Sequence, residues 1–338
     1  MSYYTLPSFN TNNISINSNQ NLTISNSLVQ YVNQCYNNLM ENNYNEFGLK
    51  FVYIYPLLNR KLKQNIDIFF YNIIEINTIC SLINDNTKIL LIDNNETKEN
   101  LITYTSVFNS FNTYLYKSEL VDNMKYSLIL KNTIIENIYD FIEILNLIKN
   151  FQELKGDIVI KIKNTNENIY INIIYILSII YNKIIILKPN SGNIFTFERY
   201  VVCKKYNRNL NLDTVIKDIE LNQSVSNSNI PLFFLNKLDE CNTIMGQQQL
   251  DCILFMHQCN YNKDKHEKIE NLYRKINHKV LNWLECNNIK KIKNNQRTYS
   301  IDSTIEATND TNDELCILCE DEEDEEDEDD ENMKNIIT

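Results

Sequence analysis

Glycine and proline are scarce in this chain of 338 residues, since each occurs only four times. Glycine lets a backbone approach a bound phosphate or cofactor closely, so glycine-rich fingerprints mark nucleotide sites. The sequence contains no P-loop, no dinucleotide fingerprint and no Gly-x-Ser-x-Gly nucleophile motif. These absences exclude the nucleotide-binding and serine-hydrolase classes that are recognised by such motifs.

A metal site has little support, because the chain has only three histidines and nine irregularly spaced cysteines. Structural zinc needs four ligands, so the isolated Cys-x-x-Cys of Cys316 and Cys319 is better explained by accidental spacing. Cys252, His257 and Cys259 do not follow the i, i+4 spacing of a helical site, and an ordinary helix explains them better. An odd number of cysteines indicates reduced thiols in a cytosolic setting.

Targeting and membrane segments are not expected. The first residues, MSYYTLPSFNTNN, lack the charged and apolar regions of a signal peptide. The apolar stretch 169–187 is interrupted by polar residues, which favours a buried helix followed by a strand over a membrane span. We therefore expect a cytoplasmic protein without membrane contact.

The net charge of −12 is concentrated at one place, because Glu320–Glu331 is a run of twelve acids. Without this run, 32 acids balance 32 bases, so the body of the protein is neutral. Neutrality counts against strong autonomous RNA or DNA binding, although it leaves room for a local basic patch. The acidic run is equally consistent with a solvated tail and with a segment that contacts a basic partner.

The chain divides by composition into five segments. We predict a disordered Asn/Ser-rich N-terminus (1–27), a helical lead (28–64), an α/β domain (65–207), a helical extension (208–290) and a disordered acidic tail (291–338). In the α/β domain short apolar runs alternate with helical patterns. This alternation predicts a Rossmann-like, doubly wound and mainly parallel sheet, with the last two strands antiparallel.

The best-marked motifs lie between residues 156 and 206. A glycine-led strand, GDIVIKI, carries Lys161, and a following strand ends in Lys188-Pro189. After a loop comes ERYVVC, which begins with Glu198. With this pattern the sequence resembles the FtsJ-like (RrmJ-like) RNA ribose 2′-O-methyltransferases, particularly their viral and cap-methylating branch. The resemblance extends over about residues 65–260.

The resemblance implies a catalytic tetrad of Lys, Asp, Lys and Glu, in which the second Lys is the general base for the ribose hydroxyl. A lysine can take a proton only when its surroundings favour the neutral amine. Lys161 and Glu198 match the second Lys and the Glu. Asn72, in FFYNIIEI, stands at the place of the first Lys, and Asn132, in YSLILKN, at that of the Asp.

The family binds S-adenosylmethionine over a glycine-rich turn that follows the first strand. Here the strand KILLID is followed by NNETKENLITY, which contains neither glycine nor proline. Asp93 and Glu119 are the remaining candidates for cofactor binding. The loop after Pro189 also has Asn193 and Phe197 in place of the usual Arg and Ser.

The resemblance and the missing residues together lead to one favoured function and one alternative. We expect a homologue with a degenerate cofactor site, acting without S-adenosylmethionine as a non-catalytic subunit or scaffold in viral mRNA capping or RNA processing. Its partners would be RNA or capped mRNA, or a catalytic RNA-processing subunit, in the host cytoplasm or virion of a large DNA virus. The alternative is an active S-adenosylmethionine-dependent cap 2′-O-methyltransferase with a divergent cofactor loop.

Overall fold

In a computed structural model of the protein, seven strands among the described residues form one open, mixed sheet in the order β1-β6-β7-β5-β4-β2-β3. The structure describes residues 2–9, 11, 14–16, 27–41, 45–62, 66–84, 87–92, 114–115, 124–207, 210–227, 229–287 and 289. The strands are β1 (Ser2–Leu6), β2 (Ile89–Ile92), β3 (Tyr114–Leu115), β4 (Tyr126–Ile135), β5 (Gln152–Ile162), β6 (Tyr181–Lys188) and β7 (Arg199–Tyr206).

One half of the sheet is parallel and the other is antiparallel. β2 pairs in parallel with β3 and β4, and β4 pairs in parallel with β5. β7 is antiparallel to both β5 and β6, and β1 is antiparallel to β6. The predicted antiparallel arrangement of the last two strands is confirmed, because their short connection leaves no room for a crossover helix. The sheet as a whole is mixed rather than mainly parallel.

The Asn/Ser-rich composition predicts disorder over residues 1–27, but part of this segment is ordered. Ser2–Leu6 forms β1, with Ser2 opposite Lys188 and Leu6 opposite Ile184 of β6. Ile16 is also buried and makes an isolated bridge to Asn227. Pairing with a distant strand supplies the order that local composition did not predict.

The helices lie before, between and after the strands. Among the described residues they are α1 (Ser27–Glu41), α2 (Asn45–Leu49), α3 (Tyr55–Leu62), α4 (Ile68–Cys80), α5 (Ile138–Phe151), α6 (Asn168–Ile180), α7 (Leu212–Asn222), α8 (Leu232–Tyr261) and α9 (His266–Cys286). Within the described ranges, no helix combines the length and apolar content that a membrane span requires.

The two faces of the sheet carry separate hydrophobic cores, because successive strand residues point to opposite sides. One core joins Ile158, Ile160 and Val201 to helices α5 to α7 and the first half of α8. The other joins Val159 and Tyr200 to α4 and α9. α4 and α9 thus lie on the same face of the sheet, and this face carries the candidate site.

The chain divides into two units, residues 1–296 and 297–338, and every described residue belongs to the first. The predicted helical lead and helical extension are therefore parts of the same unit as the sheet. The predicted acidic tail lies outside the described residues, as do a few positions of the preceding helical extension. So does the segment 93–101, where the cofactor turn was expected.

Candidate functional site

Lys161 and Glu198 form an ion pair at the edge where β5 ends. Lys161 is the penultimate residue of β5, and Glu198 immediately precedes β7. Since Ile162 pairs with Arg199, the start of β7 lies beside the end of β5. Lys161 Nζ lies 2.8 Å from Glu198 Oε2, with the side chains 20% and 32% exposed. The structure thus brings together the two residues that match the family pattern.

Asn72 lies close to this pair and is linked to it through Tyr200. Tyr200 is directly opposite Lys161 in the antiparallel β5–β7 ladder, so both side chains project from the same face. The Asn72 amide donates to the Tyr200 hydroxyl over 3.1 Å and accepts from the Ser191 hydroxyl over 2.9 Å. A neutral, buried and hydrogen-bonded amide therefore occupies the place where the family pattern has its first lysine.

Asn132 lies on β4, the other neighbour of β5. Lys131 pairs with Ile160, and the next pair joins Ile134 to Lys161, so the ladder skips residues 132 and 133. Asn132 therefore lies on the strand beside the one that carries Lys161, in the carboxyl-terminal half of β4. The position that matches the family's Asp is thus at the same sheet edge as Lys161, but it carries an amide instead of a carboxylate.

Glu75 is a residue that our sequence analysis missed. It is buried, and its carboxylate accepts from the backbone N–H groups of Asn190 and Ser191 over 2.9 and 3.1 Å. The Ser191 hydroxyl and the Trp283 indole N–H donate to it over 2.9 and 3.0 Å. Glu75 is one helical turn after Asn72, and the spacing of these two polar residues within the apolar part of α4, residues 68–76, was the available signal.

Lys188 holds the loop 189–198 from inside the protein. Its ammonium donates to the Thr196 carbonyl over 2.7 Å, the Thr196 hydroxyl over 2.9 Å and the Glu198 carbonyl over 3.1 Å. Burial holds the pKa of Lys188 well below its usual range, and the positive charges of Arg199 and Lys161 act in the same direction. The Glu198 charge opposes this shift.

Arg199 and Gln249 bind the same loop from its other side. Arg199 donates to the carbonyls of Thr196 and Glu198 over 3.2 and 3.0 Å, and to Gln249 Oε1 over 2.9 Å. The Gln249 amide donates to the carbonyls of Ile194 and Thr196, each over 2.9 Å. Burial lowers the pKa of Arg199 to about 10. Because Lys188 and Arg199 both bind the Glu198 carbonyl, the backbone that carries the Glu198 carboxylate is fixed.

The apolar residues of the loop pack away from the ion pair. Phe195 is buried in a small third cluster with Val32 of α1 and Met256 of α8, and Phe197 packs against this cluster. The rings of Tyr36 and Phe195 are stacked, with centroids 5.4 Å apart. Asn193 accepts from the Phe195 backbone N–H over 3.0 Å, so it stabilises the turn. Both residues that depart from the family pattern therefore have structural contacts here.

A cofactor would be expected outside the carboxyl ends of β2 and β4. In the sheet, β2 lies between β3 and β4. The chain runs from β2 to β3 on one side of β2 and then crosses to β4 on the other side, so the carboxyl ends of β2 and β4 form a topological switch point. Asp93 follows β2 directly, but Asp93 and Glu119 lie outside the described residues. At this edge the Thr133 hydroxyl is buried and has no hydrogen-bond partner among the residues that the structure describes. One hydroxyl does not make a site for S-adenosylmethionine, so the described residues alone do not fit this cofactor.

In the part of the chain that the structure describes, no group of three or more His, Cys, Asp or Glu side chains is arranged to hold a metal ion. Comparison with protein-family models gives no match, and comparison with curated proteins gives none either. A functional proposal therefore depends on the geometry of the ion pair and its neighbours.

Proposed function

We propose that this protein is a non-catalytic homologue of the FtsJ-like RNA ribose 2′-O-methyltransferases, acting as a subunit or scaffold in viral mRNA capping or RNA processing. One observation carries the proposal. Lys161 is paired with Glu198 at 2.8 Å, while the neutral Asn72 amide is engaged by Tyr200 and Ser191. The ion pair joins the two residues that match the family's tetrad, but the positive charge expected at position 72 is absent.

The proposed relationship to the family is supported by the place of Lys161 and Glu198 in the sheet as well as by their residue types. The pair lies at the carboxyl end of β5, beside the switch point at which open α/β sheets bind their ligands. The helices on both faces and the parallel β2–β5 half support a Rossmann-like, doubly wound origin of the sheet. The loop 189–198 carries Glu198 back to Lys161, as the family pattern requires.

Loss of catalysis is supported by electrostatics. A general base must have a free lone pair to accept a proton, whereas Lys161 Nζ is engaged in an ion pair with Glu198 over 2.8 Å. Asn72 supplies no positive charge to oppose this pairing. Lys188 is nearby, but burial holds its pKa well below its usual range and so disfavours the positive charge that it would supply. The Lys161–Glu198 contact is then a salt bridge between neighbouring strands rather than an acid–base pair.

An active methyltransferase is the second candidate, because two residues that match the family's tetrad, Lys161 and Glu198, are in contact. In that case S-adenosylmethionine would be the cofactor, and segment 93–101 would have to approach it closely.

The test is methyl transfer to capped RNA by the full chain, with labelled S-adenosylmethionine as donor and the Lys161→Ala variant as control. We expect the same background label from both proteins and no heat of binding for S-adenosylmethionine in calorimetry. Restoring Asn72→Lys and Asn132→Asp together should not produce activity, because the sequence also lacks the glycine-rich cofactor turn. A 2′-O-methyl product that disappears in Lys161→Ala would overturn the proposal and establish the second candidate.

A further inference from the structure

The helix α9 carries three exposed lysines along one flank. Lys268, Lys275 and Lys279 are spaced by seven and four residues, so they project from one side of the helix. No ion pair joins them to a carboxylate among the residues that the structure describes. We call these three residues the lysine flank.

Positive charge is concentrated in this part of the sequence. Between Lys263 and Lys293 there are nine Lys and Arg residues and four Asp and Glu residues, whereas the rest of the body has more acids than bases. One of the acids, Glu270, is already paired with Arg274 at 3.0 Å. A locally basic segment in an otherwise neutral body is the sequence signature of polyanion binding, and within the described part of this segment the three residues of the lysine flank are exposed.

A basic amphipathic helix can also bind a membrane or a partner groove, but such helices need a free apolar face. The apolar face of α9 is not free. Ile276, Val280, Trp283 and Leu284 are buried in the core that α9 shares with the sheet. What remains exposed on this helix is mainly its polar and charged side, which favours a ligand that is recognised by charge.

An exposed aromatic ring lies just before α9. Tyr261 is 82% exposed, and Lys265 Nζ lies 5.0 Å from the centre of its ring. Proteins that bind single-stranded nucleic acids combine positive charges for the backbone with aromatic rings on which bases stack. Tyr261 and Lys265 supply this combination at the amino end of the helix that carries the lysine flank.

We propose that the lysine flank, together with Tyr261 and Lys265, binds single-stranded RNA through its phosphate backbone, with base stacking on Tyr261 and without sequence preference. The requirement for a polyanion follows from the charges and the buried apolar face. The choice of RNA rests on the proposed function in RNA processing.

The test measures fluorescence anisotropy of a labelled oligouridylate of about 20 nucleotides with the full chain, from about 50 to 200 mM salt. We expect binding that weakens steeply with salt. The triple variant Lys268→Gln, Lys275→Gln, Lys279→Gln should bind at least about tenfold more weakly at low salt. Its log–log salt slope should be smaller by about two, since each phosphate contact to a single strand contributes about 0.7. Tyr261→Ala should weaken binding by about fivefold or more.

The matched control replaces three exposed lysines elsewhere in the protein, as Lys88→Gln, Lys183→Gln, Lys217→Gln. It makes the same change in net charge and should retain affinity within about twofold. Circular dichroism checks the folding of both triple variants. Ultraviolet crosslinking of the unmodified protein to RNA gives an independent readout and should label peptides within 261–279.

Four results would overturn the inference: no binding of RNA at low salt, equal losses in the two triple variants, full affinity in the flank variant, or crosslinks only elsewhere. Preference for phosphatidylserine vesicles or polyglutamate over the oligonucleotide would also overturn it and identify a different partner. The outcome is separate from that of the methyl-transfer test, since binding is measured without S-adenosylmethionine. An active enzyme could still bind RNA here, and an inactive one could fail to bind it.

Discussion

Trp283 donates its indole N–H to the Glu75 carboxylate over 3.0 Å, although the two residues are 208 positions apart in the chain. The same carboxylate accepts from the backbone of Asn190 and Ser191. Glu75 therefore joins three elements, namely α4, α9 and the loop that carries Glu198 back to Lys161. If the carboxylate were removed, the Trp283 indole N–H and the Ser191 backbone N–H would be buried without this acceptor, so replacement of Glu75 should be destabilising.

Replacing this carboxylate should destabilise the protein strongly. We expect Glu75→Ala to lower the free energy of unfolding by about 3 kcal/mol, because several buried donors lose their acceptor at once. Denaturant unfolding, followed by the fluorescence of Trp283, the only tryptophan, measures the change. The control is Glu220→Ala on the exposed side of α7, which should change stability by less than about 0.5 kcal/mol. Equal effects of the two substitutions would show that the Glu75 contacts contribute little.

Substitution by alanine should change the stability of the protein differently at Gly156 and at Gly246. A Cβ at Gly156 would lie 2.9 Å from the backbone oxygens of both Glu153 and Ser127, which cannot move without disturbing β4 and β5. At Gly246, in α8, the close neighbour is the end of the Leu28 side chain at 2.7 Å, which can rotate away. We expect Gly156→Ala to cost about 2 kcal/mol or more.

Gly246→Ala should be nearly neutral, since better helix propensity, worth about 1 kcal/mol, offsets the strain. Thermal unfolding of both variants beside the unmodified protein tests the pair. The reverse order of stability would contradict the close β4–β5 contact at Gly156.

The burial of Lys188 should make stability depend on pH. Its pKa in the folded protein lies well below the ordinary lysine value of 10.5, mainly because burial disfavours the charged form. Between these two values the unfolded chain binds a proton that the folded chain has released. The contribution of Lys188 to stability therefore rises with pH across this window.

The measurement is the free energy of unfolding of the unmodified protein minus that of Lys188→Met, between about pH 7 and pH 9.5. We expect the difference to shift in favour of the unmodified protein as pH increases. Subtraction removes the contributions of groups that titrate similarly in both proteins. Parallel pH profiles would mean that Lys188 has the same protonation state in the folded and unfolded chains.

The Lys161–Glu198 contact should make a modest contribution to stability. The pair is partly exposed, so a double-mutant cycle with Lys161→Gln and Glu198→Gln should give a coupling energy of about 1 kcal/mol. The coupling should decrease at about 1 M salt, because counterions screen exposed charges. The Arg274–Glu270 pair of α9, with side chains 75% and 59% exposed, is the control and should give about 0.5 kcal/mol or less. A larger coupling in the control would show that the sheet-edge pair is not especially well placed.

Much of the α/β arrangement could be predicted from local sequence patterns. The apolar runs 88–93, 126–132, 156–162 and 183–188 correspond to β2, β4, β5 and β6, because buried strands need continuous apolar side chains. β1 could not be found in this way, since its order comes from pairing with β6, far along the chain. Strand order and the shift in register between Lys131 and Ile134 also depend on such long-range contacts.

The candidate site was predictable only where residue type itself carries the signal. The Lys161–Glu198 contact was expected from the motif, and the structure contains it. The roles of Lys188 and Arg199 were not expected, because their acceptors are mostly backbone carbonyls, which look the same in every sequence. Glu75 was passed over because a single carboxylate in an apolar helix does not reveal which donors surround it.

The position of β1 has a consequence for aggregation. Without β1, the Ile-rich strand β6 would present its backbone N–H and C=O groups along an open sheet edge, which is a template for pairing with other chains. The ribosome adds about 5–20 residues per second, so β6 emerges roughly ten seconds or more after β1. Because the covering strand is made first, it is already available when β6 appears. A chain that begins after Leu6 would lose this protection during synthesis as well as after folding.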